Sequence, residues 1–226
     1  KESYVDPDNT FSTNILGTLN VLEYARLSKN LRSVVIITSD KCYKNKELKN
    51  GYSERDELGG DDPYSASKAA AENIFFSYQR SFFKNRNKIG LVSVRAGNVI
   101  GGGDWSQDRI IPDLIKSIIT KKKFIIRSPK STRPWQHIFD LLNGYLILSK
   151  KIYGNNKYNG SWNFGPNQNH ITVDEVISKL IGILDINKKV FVKTDKKIKE
   201  TALLSLNINK SKKNLNWKTK LSLNQS

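Results

Sequence analysis

Ser33-Val34-Val35-Ile36-Ile37-Thr38-Ser39-Asp40-Lys41 is the stretch on which the fold turns. Its apolar residues form an unbroken β-branched run rather than an alternation. Such a run predicts a strand over residues 33–38 that is covered on both faces, the habit of parallel sheets. Downstream, residues 45–61 are polar and Gly-containing and read as a loop. Asp62-Pro63 then opens a helix, Asp as N-cap and Pro in the first turn, that continues through residues 64–81 with Ala69, Ala70 and Ala71. Residues 91–95 read as a second strand and 97–104 as a loop. A helix over 111–120, a strand over 124–127 and a helix over 140–152 follow. Thr172 and Glu175 form a capping box that opens a helix through 184, and 189–194 reads as a late strand. Upstream, Phe11, Ile15, Leu19 and Leu22 stand at helical spacing and predict a helix over about residues 8–28. Strands alternating with helices give an α/β fold with a parallel sheet.

The 226 residues support one large domain with a core of ordinary size. Mean hydropathy is −0.52, and the longest apolar runs are far too short to span a bilayer. The chain does not begin with Met, and no signal peptide is visible in Lys1-Glu2-Ser3-Tyr4. One cysteine, Cys42, excludes a disulfide framework, and two histidines, His137 and His170, argue against a His-rich metal site. A cytoplasmic, metal-free protein is expected. The net charge of +17 raises nucleic-acid binding, so its distribution matters. Residues 188–220 hold eleven Lys against Asp195 and Glu200; residues 116–133 hold five Lys and two Arg with no acid. Only Phe191 and Trp217 interrupt the first stretch, a poor base-stacking platform. Both stretches read as solvated basic faces, with no nucleic acid and no membrane as partners.

Tyr64-Ser65-Ala66-Ser67-Lys68 places a phenol and an ammonium at i and i+4 on one helix face. The ammonium is expected to lower the phenol's pKa and make it a proton acceptor. The pattern is common, but here it follows a buried strand that ends in Ser39-Asp40-Lys41, and parallel strands open at their C-terminal ends onto the ligand crevice. A hydroxyl, a carboxylate and an ammonium there, with Tyr and Lys on the next helix, form a much rarer set. The Gly-rich turn of dinucleotide-binding folds is missing: Gly97-Asn98-Val99-Ile100-Gly101-Gly102-Gly103 has the wrong spacing, and no acid stands at the usual distance beyond it.

Taken together, these stretches resemble the extended short-chain dehydrogenase/reductase family, specifically its sugar-nucleotide 4,6-dehydratases, and among them the branch that acts on CDP-glucose. The likeness is carried by Thr10 to Thr18, Thr38 to Tyr43, Asp62 to Lys68, Arg95 to Trp105, Arg133-Pro134-Trp135-Gln136-His137 and Trp162 to Pro166. It implies a Rossmann-like doubly wound parallel sheet, truncated at its N-terminus, with a smaller C-terminal substrate-binding α/β part. Residues 1–100 would be the C-terminal half of the NAD-binding domain. Residues 101–226 would mainly bind the sugar nucleotide, with some segments returning to the sheet. Relatives begin with roughly a hundred residues that carry the Gly-rich turn and end with a further helix, which Leu221-Ser222-Leu223 would start. The expectation is therefore a piece lacking the pyrophosphate site, with little NAD binding or activity alone.

The resemblance also implies roles. Tyr64, assisted by Lys68, removes the proton of the sugar C4 hydroxyl, and Ser39 hydrogen-bonds that oxygen. Asp40 protonates the departing C6 hydroxyl. Lys41, where related dehydratases carry Glu, is either a neutral base at C5, the favoured role, or a charged stabiliser of the enolate; a base would need burial or neighbouring cations. Tyr64, Lys68, Thr38 and Asn14 would serve the NAD side, and Asn98, Arg133 and Ser39 the sugar nucleotide. His137 reads as structural and Cys42 as a buried thiol; Trp105 and Trp135 either line the nucleotide pocket or pack. The expected partners are CDP-glucose and a second copy of the chain, joined through the Tyr64 helix, and the product would supply surface-polysaccharide deoxyhexoses. The alternatives are another sugar-nucleotide 4,6-dehydratase or a 4-epimerase and, more remotely, a polyanion-binding protein without NAD chemistry.

Overall fold

The structure, a computed structural model, describes residues 2–84, 89–122, 124–126, 128–167, 170–184 and 202–226. Its centre is a parallel three-stranded sheet of order β1 (Ser33–Ile37), β2 (Gly90–Ala96), β6 (Gly160–Phe164). Ser33 pairs with Gly90 and Val92 with Gly160, so all three strands point their C-terminal ends the same way. The 33–38 run forms a strand because β-branched side chains pack well on a pleated surface and here find apolar partners on both sides. Val34 and Ile36 meet Leu22, Ala25, Phe75 and Phe83 on one face. Val35, with Val92 and Val94, meets Leu148 and Ile152 on the other.

The first of these faces is covered by two helical layers. One contains α1 (Glu2–Val5), α2 (Pro7–Phe11) and α3 (Gly17–Leu27), the last two joined through a wide π turn at Ser12–Leu16. The other is α4 (Pro63–Tyr78), whose start follows its sequence signal. Asp62 Oδ1 accepts from the Tyr64 and Ser65 amides at 3.0 and 3.1 Å, and Pro63 occupies the first turn. The opposite face is covered by α6 (Ile138–Ile152). It approaches the sheet closely because position 144 is Gly: a Cβ there would lie 2.6 Å from the Phe164 ring.

A second group of elements stands beyond the C-terminal ends of the sheet. It comprises β3 (Val99–Ile100), α5 (Ile110–Ile119), β4 (Thr132–Arg133), β5 (Gln136–His137), β7 (Ile171–Thr172) and α7 (Val173–Ile183). β3 pairs in parallel with β5, and β4 antiparallel with β7. Leu114, Phe124, Ile126, Trp135, Val173, Val176 and Ile177 form its separate core. The Thr172–Glu175 capping box is present, and His137 caps α6, its Nδ1 accepting from the Phe139 amide at 3.1 Å. Within the expected 124–127 strand, Phe124 and Ile126 are buried and Ile125 is exposed, the alternation of a strand; residue 127 and the expected strand at 189–194 lie outside the described residues.

Several elements differ from the sequence reading. β6 falls within a motif rather than a predicted strand, because only the four residues 161–164 lie between Gly160 and Gly165. The 97–104 loop contains β3. Residues 202–226 return to the main core through Leu204, Leu206, Ile208 and α8 (Asn209–Leu215), with Trp217 edge-on to Phe164 at 4.8 Å. Where a final helix was expected to start, Leu223–Gln225 forms a 3-10 turn capped by Ser222.

The most constrained group in the core is polar. Glu72 on α4 and Arg95 on β2 form a two-pronged pair, Nε to Oε1 at 2.9 Å and Nη2 to Oε2 at 2.7 Å, with no solvent exposure. Thr38, Ser93 and Ser161 also donate to Glu72, and Arg95 donates to Ser161 and Tyr43. Burial alone would push the Glu72 carboxyl up, but the Arg95 hydrogen bonds and charge outweigh it and hold it below the usual range. A carboxylate with a depressed folded pKa stabilises the fold above its unfolded value, about 4.3, and the contribution is lost as pH falls through the folded value. Arg95→Met should therefore cost about 3–5 kcal/mol in chemical denaturation, because it leaves a buried carboxylate unpaired. Glu72→Gln should flatten the acid limb of the stability–pH curve below about pH 4, where the wild type loses stability fastest.

Candidate active site

β1 ends at the mouth of the crevice and its chain turns at once. Ser39 has extended backbone and caps a 3-10 turn over Asp40–Cys42, accepting from the Lys41 amide at 3.2 Å. Its hydroxyl also hydrogen-bonds Asp40 Oδ1 at 3.1 Å. The turn packs against α4, which brings Tyr64 and Lys68 to it, and the Ser39 hydroxyl lies beside the Tyr64 phenol. Ser39, Asp40, Tyr64 and Lys68 are thus one cluster at the C-terminal ends of the strands.

Burial dominates the electrostatics there. Desolvation pushes the Asp40 carboxyl up to about 6, against the opposing pull of the Ser39 hydrogen bond and the Lys41 and Arg133 charges. Its Oδ2 is buried and finds no partner among the described residues. The backbone closes over it at Gly97, where a Cβ would stand 2.8 Å from Oδ2 and 2.1 Å from Pro134 Cγ. No side chain fits at 97 without displacing the carboxyl or the proline.

The expectation for Tyr64 is corrected. Its phenol is raised rather than lowered, because desolvation and the Asp40 charge outweigh the pull of the Ser39 hydroxyl. Lys68 does not offset this: its ammonium lies over the Tyr64 ring, 5.8 Å from the centroid. Burial lowers the Lys68 ammonium itself, and it has no hydrogen-bond acceptor among the described residues. A half-buried ammonium without an acceptor beside a half-buried phenol suits a ribose diol and an adjoining nicotinamide, so the residues present fit the nicotinamide end of NAD.

The remaining residues divide. Lys41 is exposed, so the burial that a neutral lysine base would need is not provided at this position. The Thr38 and Asn14 side chains are both engaged within the protein. The Thr38 hydroxyl donates to Glu72, and the Asn14 amide, from the π turn, donates to Ser67 Oγ at 3.0 Å. Ser67 in turn donates to the Tyr64 carbonyl at 2.7 Å, so Asn14 braces the Tyr–Lys turn of the helix. Arg133 is nine-tenths buried on β4, donates to the Thr132 carbonyl at 2.8 Å and acts electrostatically on Asp40. Asn98 is half-buried between β2 and β3, and its carbonyl accepts from the Gln136 amide. Cys42 is fully buried, its thiol pushed up by desolvation, which leaves it inert. Trp135 packs in the second core and Trp105 is exposed.

The sequence reading missed Glu72 and Arg95. Both carried a signal: Glu72 continues the Tyr64–Lys68 face by another i+4 step, and Arg95 is a charge inside an apolar strand, which demands a partner.

The chain is 40% identical to CDP-glucose 4,6-dehydratase of Salmonella typhimurium over 99% of its own length, and spans 64% of that protein. Among solved structures it resembles dTDP-glucose 4,6-dehydratase of Streptomyces venezuelae, with NAD and TYD bound, at a TM-score of 0.83 and 20% identity, over 97% of this chain and 65% of that one. The Bacillus anthracis dTDP-glucose 4,6-dehydratase, in complex with NAD, gives 0.79 at 23%, over 95% and 65%. These likenesses show a Rossmann-type fold, to which the parallel sheet covered by helices on both faces corresponds. The model of the NAD dependent epimerase/dehydratase family matches residues 1–165, from the π turn of Asn14 past the whole Ser39–Lys68 cluster to the end of β6, and the chain belongs to that family.

Proposed function

We propose that this chain is the catalytic part of a CDP-glucose 4,6-dehydratase, a hydro-lyase that returns its NAD unchanged. The observation that carries this reading is Asp40. A carboxyl that is buried, protonated up to about pH 6 and hydrogen-bonded to Ser39 is suited to deliver a proton to a leaving hydroxyl. A 4-epimerase has no leaving group and no use for such an acid. The 40% identity to the Salmonella enzyme supports CDP-glucose as the substrate.

NAD, when bound, supplies the hydride acceptor and donor and, in its oxidised form, a positive charge that favours the phenolate of Tyr64. Tyr64 and Lys68 would hold its nicotinamide ribose. Tyr64 takes the proton of the C4 hydroxyl, and Ser39 holds the C4 oxygen. With C4 at the ketone level the C5 proton is acidic; it passes to water beside the exposed Lys41, whose positive charge stabilises the enolate, while Asp40 gives its proton to the departing C6 hydroxyl. Arg133 and Asn98 bind the diphosphate and sugar, the arginine as a charge-assisted donor. The exposure of Leu16, Val21, Tyr24 and Leu27 on and before α3 supports a homodimer formed through the helical layer of α3 and α4. A cytoplasmic location accords with the absence, among the described residues, of any helix long and apolar enough to cross a membrane. A 4-keto-6-deoxy product suits the synthesis of surface-polysaccharide deoxyhexoses.

The test is the protein expressed from its complete reading frame, incubated with CDP-, dTDP- and UDP-glucose. CDP-glucose should be converted with the highest kcat/KM; conversion to CDP-galactose instead would refute the reading. Asp40→Asn should lower kcat about 100-fold or more. Its effect on stability has the opposite sign. The folded value of about 6 lies above the unfolded one, so ionised Asp40 works against folding at pH 7 and less so towards pH 4. Asp40→Asn should therefore raise the melting temperature at pH 7, with the gain shrinking on acidification. Lys41→Met should slow solvent deuterium incorporation at C5 about tenfold or more, by removing a charge that stabilises the enolate; an unchanged rate would remove Lys41 from that step.

A further inference from the structure

The catalytic cluster is assembled from two separate pieces of chain. Ser39 and Asp40 sit on the turn after β1, while Tyr64 and Lys68 sit on α4, and a loop lies between them. The direct link, Ser39 to Tyr64, joins two groups that must both engage substrate. It cannot also be the fixed reference that sets their separation.

A fixed reference stands one residue away. We propose that Thr38 is a positioning residue whose hydrogen bond to Glu72 locks the Ser39–Asp40 turn in register with the Tyr64–Lys68 helix. The Thr38 hydroxyl donates to Glu72 Oε1 at 2.5 Å. Tyr64, Lys68 and Glu72 follow at successive i+4 steps on one face of α4, so Glu72 extends the catalytic face inward. Glu72 cannot give way, because Arg95 grips both its oxygens and Ser93 and Ser161 donate to Oε2. Thr38 is equally fixed on its own side, its amide donating to the Val94 carbonyl at 2.9 Å. The bond therefore connects two immobile points. The next residue after one of them is Ser39, and one helical turn before the other is Lys68. Positional errors of about 1 Å in such a constellation cost on the order of 100-fold in rate, so one rigid tie here has leverage.

This proposal rests on the dehydratase reading for its catalytic meaning, but its primary test needs no substrate. Asp40 is faced by Lys41 on its own turn, Arg133 from β4, Tyr64 from α4 and Tyr145 from α6, so its titration reports how all of these are arranged. The titration of Asp40, followed through its carboxyl 13C resonance, is compared in the 226-residue chain carrying Thr38→Val and Thr38→Ser. Val keeps the β-branched shape and loses only the donor; Ser keeps the donor. Thr38→Val should move the Asp40 midpoint from about 6 towards the ordinary range by about half a unit or more, as water enters the loosened turn. Thr38→Ser should leave it in place. In the complete enzyme, Thr38→Val should lower kcat about tenfold with KM unchanged, and Ser should restore it. A Thr38→Val protein that melts lower yet keeps the wild-type midpoint and kcat would overturn the proposal, leaving a purely structural hydrogen bond. If the midpoint moves while the wild-type enzyme forms no 6-deoxy product, the positioning role stands and the dehydratase reading falls.

Discussion

The Glu72–Arg95 pair is the constraint on which the rest of the structure depends. It lies where α4 crosses the sheet, accepts hydrogen bonds from Thr38 after β1, Ser93 on β2 and Ser161 on β6, and donates one to Tyr43 after the acid turn. Burying two charges is expensive, and one such pair adds little net stability over an apolar substitute. What it does provide is register. An apolar core would tolerate a helix sliding by a fraction of a turn, whereas a two-pronged guanidinium–carboxylate pair admits one arrangement. The position of α4 on the sheet, and with it the approach of Tyr64 to Ser39, is held by it.

The chemistry of the site follows from burial working against charge. Desolvation raises Asp40 and Tyr64 and lowers Lys68, in each case favouring the neutral form. For Asp40 this makes a proton donor from a group that is ordinarily ionised. For Tyr64 it leaves a neutral phenol, which in the proposed reaction would need the positive charge of NAD to be deprotonated. The proposed acid and base are thus separated by position, the carboxyl beneath Gly97 and Pro134 and the phenol on the helix face beside Lys68.

Much of this was legible in the sequence. The β-branched run at 33–38 gave the buried strand, Asp62-Pro63 the start of α4, and Ser39-Asp40 with Tyr64 and Lys68 a cluster that the structure does bring together, because each rests on local chemistry. The parts that were not legible depend on partners distant in the chain. β6 is too short to announce itself and becomes a strand by pairing with β2. Residues 202–226 return to the core through apolar residues scattered among lysines, with Trp217 buried rather than exposed for stacking. The roles of Thr38 and Asn14 could not be read locally, since their hydrogen bonds go to Glu72 and Ser67, at separations of 34 and 53 residues. The sign of the Tyr64 shift was misjudged for the same reason: the neighbour at i+4 was visible and the burial was not.

The central claim is that the Ser39–Lys68 cluster carries out an internal redox dehydration. Its most direct test is the fate of deuterium placed at C4 of CDP-glucose, followed by NMR with the protein expressed from its complete reading frame. The account predicts one deuterium in the C6 methyl group of a 4-keto product. Deuterium retained at C4 of an epimerised sugar, or a 6-deoxy product with none at C6, would contradict it.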